Sequence, residues 1–168
     1  MEFKKATYVD IDNIMPIIKD GQEYLREQGV TQWQNNYPNE EIIRNDIEKE
    51  YSYLIEMDSE VVATVAISFD GESTYDEIFQ GDWLSDKDYA VIHRMAIQKD
   101  SRGSGISSFL MKSIENLCKE KNIKSIKVDT HRENIPMQSY LKKNDFKYCG
   151  LIYLLNGDER LAFEKILK

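Results

Sequence analysis

The chain has 168 residues, of which 41% are hydrophobic and 31% charged, and its formal net charge is −8. This length can bury a full core, so one domain over residues 1–168 is expected. Its apolar runs are too short to span a bilayer and no signal-peptide pattern opens it, so we expect a cytoplasmic protein with no membrane partner. A net acidic chain without a basic, aromatic stripe argues against nucleic-acid binding.

The charges are divided unevenly along the chain. Residues 1–92 carry 7 Lys and Arg against 21 Asp and Glu, and residues 93–168 carry 15 against 9. The net charges are therefore −14 and +6 for the two parts. The basic part suits a phosphate-bearing ligand and the acidic part a cationic partner. For any single acid, a role in keeping the surface soluble is the simpler explanation.

The first elements are a strand over residues 2–8 and a helix over 11–28. Asp10 is placed to cap this helix and Gly29 to stop it. Pro16 lies inside the apolar stripe and predicts a kink or an early break.

A loop with two aromatic residues, Trp33 and Tyr37, comes next, and Asn39 is placed to cap a second helix. Periodicity and turn signals then predict the following elements up to the middle of the chain: a helix over 39–50, and strands over 51–56 and 61–69. The polar, acidic stretch 70–87 holds Trp83 and predicts a loop.

The second half alternates strands and helices. An apolar strand over 89–97 leads through a glycine turn into an amphipathic helix over 106–121. A strand over 123–129 follows, parallel to the first if the helix is a crossover. The remaining predicted elements are a helix over 134–143 and a hairpin of strands 147–154 and 159–166.

The glycine turn, Arg102-Gly103-Ser104-Gly105, predicts an anion site. Glycines allow a close approach to the backbone, and the first N–H groups of a helix have no partner within it. The positive end of the helix and Arg102 favour the same sign of ligand. A pyrophosphate fits this description.

Two other nucleotide-binding motifs also place a glycine turn between a strand and a helix. The dinucleotide fingerprint needs a third glycine where Ser108 stands, although Asp129 is near the end of the next strand as that motif requires. A phosphate-binding P-loop needs Gly-Lys-Ser/Thr, which is absent. A nucleotide-dependent oxidoreductase is thus disfavoured as a function.

The turn and the order of elements resemble the GNAT superfamily of acetyl-CoA-dependent N-acetyltransferases. The family pattern is Gln/Arg-x-x-Gly-x-Gly/Ala, which the run from Arg102 matches except that Ser107 stands at the last place. Downstream, Asn134 and Phe146 keep the family spacing, with Asp145 in place of a glycine. The resemblance implies an α/β fold: a mixed, mostly antiparallel sheet of about seven strands, flanked by helices and splayed at a central parallel strand pair.

The resemblance also implies a coenzyme A site. The implied acetyl-CoA-binding residues are Met95, Ala96, Ile97, Arg102, Gly103, Ser104, Gly105, Ile106, Ser107 and Asn134. Main-chain groups of the first three would bond the pantetheine arm like an added strand, and amides of the turn would hold the pyrophosphate. A bulge in the central strand would make room for the thioester, and an N–H there would stabilise the oxyanion.

A protonated amine acceptor, with a pKa of roughly 10, must lose a proton before it attacks the thioester. His93 is the first candidate base, because a histidine in the matching place is a candidate base in arylalkylamine N-acetyltransferases, which this sequence resembles there. A structural histidine is the alternative, and His131 or a water-relayed acid are further candidates. For the leaving thiolate, the family tyrosine position holds Leu141, so the neighbouring Tyr140 is the candidate proton donor, with core packing as its alternative.

Aromatic residues among acids can enclose an amine by cation–π contact, or else cover the edge of a core. The predicted acceptor-binding residues are Trp33, Tyr37, Trp83 and His131. Cys118 and Cys149 are expected to be buried small residues, and no metal site is expected because the histidines and cysteines lack ligand spacing.

The sequence therefore predicts an N-acetyltransferase that uses acetyl-CoA on a small amine or a basic peptide. A non-catalytic acyl-CoA-binding or sensing module is the alternative, since Ser107, Leu141 and Asp145 depart from the family pattern. A homodimer is one of the assemblies compatible with the sequence.

Overall fold

The computed structural model describes all residues from 1 to 168. Its strands and α-helices, in chain order, are β1 (Glu2–Lys5), α1 (Ile11–Glu27), α2 (Glu40–Glu48), β2 (Ser52–Met57), β3 (Glu60–Ser68), β4 (Ala90–Ile97), α3 (Ile106–Glu120), β5 (Ser125–Thr130), α4 (Ile135–Lys143), β6 (Lys147–Tyr153) and β7 (Glu159–Ile166). Every strand and helix predicted from the sequence is confirmed, with ends that differ by a few residues.

The chain divides into two compact units. The first comprises Met1–Ile67 and His93–Ile114, and the second Ser68–Ile92 and Glu115–Lys168. That residues 1–168 act as a single domain remains a prediction.

The first unit contains antiparallel strands covered by helices. β1 pairs with β2 and β2 with β3, as in the partners Phe3–Ile55 and Ile55–Ala63. The N–H of Gln98, just after β4, donates to the carbonyl of Val62 in β3 at 2.8 Å. Isoleucines recurring at helical spacing on α1 and α2 fill the core of this unit, because that spacing puts them on one face. The buried helical residues are Ile11, Ile14, Ile17, Ile18, Ile43 and Ile47.

Two details of α1 differ from the prediction. The early break at Pro16 is wrong: α1 runs unbroken from Ile11 to Glu27. Burial of the isoleucines on both sides of Pro16 outweighs the lost backbone hydrogen bond. Asp10 occupies the N-cap position of α1 as predicted, but its side chain makes no capping hydrogen bond to that helix. Its carboxylate instead accepts from the N–H and hydroxyl of Thr7, at 2.7 and 2.9 Å, and so closes a preceding 3₁₀ turn.

The second unit holds the parallel pair. β4 pairs in parallel with β5 at Ala90–Ile126 and Val91–Lys127, while β7 is antiparallel to both β5 and β6. Cys118 and Cys149 are buried free thiols, as expected, and burial raises the pKa of Cys118 to about 12. Both cysteines are therefore packing residues.

Strand β4 contributes to both units, and the hydrogen-bonded order along the sheet is β1-β2-β3-β4-β5-β7-β6. The predicted α/β class is thus confirmed: a seven-stranded mixed sheet with a parallel β4–β5 pair and flanking helices. None of the helices is long and apolar enough to cross a membrane.

Candidate active site

Strand β4 has an irregular residue near its centre. Arg94 has φ +50°, in the left-handed region, whereas a regular strand residue is extended. A left-handed residue inside a strand is typical of a β-bulge, which bends the chain. His93 and Met95, which flank Arg94, are half-buried. The main chain therefore changes direction at the start of the stretch Met95–Ile97 that was predicted to bind the cofactor.

The side chain of Arg94 is held by two residues of the same unit. Its Nε and Nη2 each donate to the carboxylate of Asp46 at 2.6 Å, and its Nη1 donates to the hydroxyl of Tyr37 at 3.0 Å. Asp46 is buried on the same face of α2 as Ile43 and Ile47. Burial, the largest single cause, lowers the pKa of Arg94, but the hydrogen bonds to Asp46 and Tyr37 and the electrostatic interactions with both residues together outweigh it, so the pKa is raised and the guanidinium stays charged.

The glycine turn leads from β4 into α3 as the sequence predicted. A 3₁₀ turn at Lys99–Ser101 is followed by Gly103 and Gly105, with φ +83° and +84°. Nothing lies within 4 Å of the position where a Cβ would stand at either glycine. The first hydrogen bond of α3 runs from the N–H of Phe109 to the carbonyl of Gly105 at 3.0 Å. The turn is thus exposed. Helix α3 begins directly after it, and the first amides of a helix have no partner within the helix.

Arg102, at the start of this turn, packs on an aromatic ring of α1. Its guanidinium carbon lies 4.6 Å from the centre of the Tyr24 ring, within the range of a cation–π contact. The backbone of Arg102 is extended. The contact with Tyr24 therefore limits the positions that the Arg102 guanidinium can occupy. The sequence alone did not predict this contact.

The two aromatic residues of the loop after α1 have different surroundings. Trp33, with φ +63°, packs against the core of the first unit, close to Gly21 and Ala96. Tyr37 is 40% exposed and reaches Arg94 with its hydroxyl. Of the predicted acceptor residues, Tyr37 is thus the one brought to β4 by a hydrogen bond.

In the second unit, Asn134 and His131 share one turn. The side chain of Asn134 caps α4 by accepting from the N–H of Met137 at 3.2 Å, and the backbone N–H of Asn134 donates to the carbonyl of His131 at 3.0 Å. Nδ1 of His131 accepts from the N–H of Glu133 at 3.1 Å, so a neutral His131 carries its proton on Nε2. Asn134 is buried.

Tyr140 lies half-buried in α4, before the fully buried Leu141. Burial, and to a lesser degree the charge of Glu115, raises the pKa of its phenol. The phenol therefore stays protonated at neutral pH, as a proton donor must.

Trp83 is packed by residues of its own unit. Its Nε1 donates to the carbonyl of Tyr75 at 2.9 Å, and its ring lies 5.3 Å from the Tyr75 ring. The Nζ of Lys127 lies 4.3 Å from the Trp83 ring and 4.0 Å from that of Tyr89. Burial lowers the pKa of Lys127. The cation that Trp83 contacts is thus one of the protein's own, and its acceptor role stays a prediction.

No group of three or more His, Cys, Asp or Glu side chains is arranged to hold a metal ion.

The comparison with known proteins decides the family. A family model described as the acetyltransferase (GNAT) family matches residues 18–146. The chain belongs to the GNAT acetyltransferase family. The match begins within α1 and ends at Phe146, so it includes β4, the glycine turn and Asn134.

Individual GNAT proteins are similar over nearly the whole chain. A GNAT-family acetyltransferase from Streptococcus agalactiae 2603 is 32% identical, with a TM-score of 0.89 over 99% of this chain and 95% of its own. The uncharacterized N-acetyltransferase YesJ of Bacillus subtilis is 22% identical over 147 residues, 86% of this chain and 81% of its own. The PaiA N-acetyltransferase from Thermoplasma acidophilum, solved in complex with coenzyme A, has a TM-score of 0.74 at 16% identity, with 98% of both chains covered.

Sequence reasoning missed the Asp46–Arg94 pair in this GNAT acetyltransferase. One signal was present: Asp46 stands between buried positions of an amphipathic helix, where an acid needs a partner. The partner, 48 residues further along the chain, could not be deduced from that signal alone.

Proposed function

We propose that this GNAT acetyltransferase transfers an acetyl group from acetyl-CoA to the primary amine of a small molecule or basic peptide. Family membership supports acetyl transfer. The observation that carries the choice of donor is the exposed turn at Gly103 and Gly105 at the start of α3. A structural neighbour that was solved with coenzyme A supports the same choice.

The residues of the turn fit a pyrophosphate. Both glycines have left-handed φ values that other residues adopt at a cost, and the space beside them is open. The helix start supplies amides and partial positive charge, and Arg102 supplies a full charge. Within this proposal the backbone of residues 102–107 holds the pyrophosphate, the main chain of Met95–Ile97 holds the pantetheine arm, and Asn134 contacts the cofactor.

Acetyl-CoA supplies an activated thioester, and the protein's residues move the protons. His93 takes a proton from the ammonium form of the acceptor, so that the nitrogen lone pair is free to form the new N–C bond. As the C–S bond breaks, Tyr140 donates its phenol proton to the thiolate, and the acylated nitrogen loses its remaining extra proton to solvent, from which the Tyr140 phenolate takes a proton back. A main-chain N–H within Met95–Ile97 donates to the carbonyl oxygen as negative charge develops there.

The acceptor is cationic before it reacts, and the surface charge supports that choice. Residues 1–92 carry the excess of acids. Trp33, Tyr37, Trp83 and His131 are the residues predicted to meet the acceptor, and the hydroxyl of Tyr37 lies against Arg94.

Calorimetry with acetyl-CoA tests the donor site, using two matched glycine variants. Gly105→Ala and Gly157→Ala both place alanine at a positive φ, +84° and +89°, with nothing within 4 Å. The backbone strain is therefore similar, about 1 kcal/mol in each. We expect Gly105→Ala to weaken acetyl-CoA binding by about tenfold or more and Gly157→Ala, at the tip of the β6–β7 hairpin, to leave it unchanged. Equal affinities, or no acetyl-CoA binding by the unaltered protein, would contradict the proposed site.

Thiol release with a panel of polyamines, aryl amines, amino acids and basic peptides then tests the reaction. Release that depends on one class of amine identifies the acceptor. Binding of acetyl-CoA without release on any amine contradicts amine acetylation and leaves the acyl-CoA-binding module.

A further inference from the structure

The contact between Asp46 and Arg94 fixes the irregular point of β4. The side chain of Arg94 is 14% exposed and that of Asp46 is 4% exposed, and both oxygens of the carboxylate accept from the guanidinium at 2.6 Å. Two parallel hydrogen bonds of this kind fix the plane of the guanidinium as well as its distance. The backbone of Arg94 is consequently anchored to α2 through a short, buried and directional link.

This anchor opposes a backbone preference. A non-glycine residue in the left-handed region is unfavourable, and it persists only where its surroundings hold it. If the link to Asp46 were released, the chain at Arg94 would relax toward the extended region. Rotation about φ and ψ of Arg94 turns the peptide groups on both sides of it, which include the N–H of Met95.

Tyr37 adds a third hydrogen bond from a loop that is itself fixed. The carbonyl of Pro38, next in the chain, accepts from Nε2 of Gln22 in α1 at 3.0 Å, and Nε2 of Gln34 donates to the carbonyl of Gln22 at 3.1 Å. The guanidinium is thus held from α2 on one side and from the loop after α1 on another.

We propose that Asp46 and Tyr37 are positioning residues for acetyl transfer. By holding Arg94 they keep β4 in the bent form in which the main chain of Met95–Ile97 is aimed at the thioester. This role rests on the proposed function, because it requires the thioester to lie along β4. Asp46 acts without touching the substrate, and Tyr37 acts through its hydrogen bond to Arg94 in addition to its predicted contact with the acceptor.

A pair of double variants separates the backbone effect from the charge. Asp46→Asn with Arg94→Gly and Asp46→Asn with Arg94→Ala both remove the ion pair, but only glycine adopts φ +50° freely. We expect kcat of the glycine variant to exceed that of the alanine variant by about tenfold, since small misplacements of reacting groups cost rate. Coenzyme A affinity should be the same in both variants, because the glycine turn is untouched. Equal kcat values in the two variants would overturn the positioning role.

Single variants keep the inference testable if the alanine variant does not fold. Tyr37→Phe retains the ring and loses the bond to Arg94, and we expect about a threefold loss of kcat with unchanged coenzyme A affinity. Glu40→Gln is the control. It removes an exposed ion pair between Glu40 and Arg44 within α2, the helix that carries Asp46, and should leave kcat unchanged. An unchanged kcat in Tyr37→Phe overturns the role of the loop. Absence of acetyl-CoA binding and turnover in the unaltered protein refutes the proposed function instead, so the two failures are distinguishable.

Discussion

Replacing Gly81 with alanine should detach the segment between β3 and β4 from strand β6. A Cβ at this position would overlap the carbonyl oxygen of Cys149, and its next neighbours are also backbone atoms of β6. Backbone atoms inside a strand cannot move aside as a flexible side chain can. The segment around Gly81 must therefore shift away from the strand.

The expected loss of stability comes from the hydrogen bonds and ring contact that this shift breaks. The N–H of Phe79 donates to the carbonyl of Leu151 and the N–H of Leu151 donates to the carbonyl of Phe79, both at 2.8 Å. Loss of these two hydrogen bonds costs about 1–3 kcal/mol, and the edge-on contact of Phe79 with Tyr153 is lost with them. For a chain of this size each kcal/mol lowers the melting temperature by about 2–4 °C, so we expect a fall of roughly 2–12 °C.

Thermal unfolding followed by circular dichroism measures this decrease, with Gly71→Ala as the control. Gly71 lies in the same segment at φ +79°, and the nearest atom to its Cβ position is the Tyr89 hydroxyl at 3.7 Å. The control thus has backbone strain without overlap. Proteolysis within the segment should increase for Gly81→Ala more than for the control. A Gly81→Ala protein that melts no lower than Gly71→Ala would refute the reasoning.

Three further outcomes are expected. Burial, followed by the charge of Asp129, raises the pKa of Tyr75 well above its ordinary value of 10.0. The stability that the neutral phenol contributes is therefore complete below pH 10 and is lost as the pH rises toward the raised pKa. Tyr75→Phe should flatten the decrease in melting temperature across that alkaline range. Asn134→Ala and Asn39→Ala each remove a helix cap worth about 1 kcal/mol, but only the first should weaken coenzyme A binding, as calorimetry will show. His93→Ala should remove the limb of the pH–rate profile that reports a base, and an unchanged profile at saturating acceptor would exclude His93 from that role.

Local patterns predicted most of the fold because they depend on neighbouring residues. Helix α2 begins where Asn39 accepts from the N–H of Ile42 at 3.1 Å, and α1 ends before Gly29 at φ +72°. Both signals are contained within a few residues of sequence. The glycine turn at Gly103 and Gly105 was predictable for the same reason.

Features that depend on distant partners were not predictable. The ring of Trp83 lies against Tyr75 and the amine of Lys127, a residue of β5, and the sequence predicted neither contact. The sequence shows an aromatic residue among acids but not which strand passes beneath it. Asp46 and Arg94 were missed in the same way, because their contact joins two elements far apart in the chain.

The left-handed conformation of Arg94 also limits which sequences this fold accepts. Among relatives that keep the bend in β4, a change of Asp46 removes the anchor for an arginine and leaves its backbone strain uncompensated. Glycine and asparagine tolerate that backbone conformation without an anchor. Positions 46 and 94 should therefore vary together, as an acid with an arginine or as a neutral residue with glycine or asparagine. The backbone conformation required at position 94 therefore couples the substitutions that relatives can accept at positions 46 and 94.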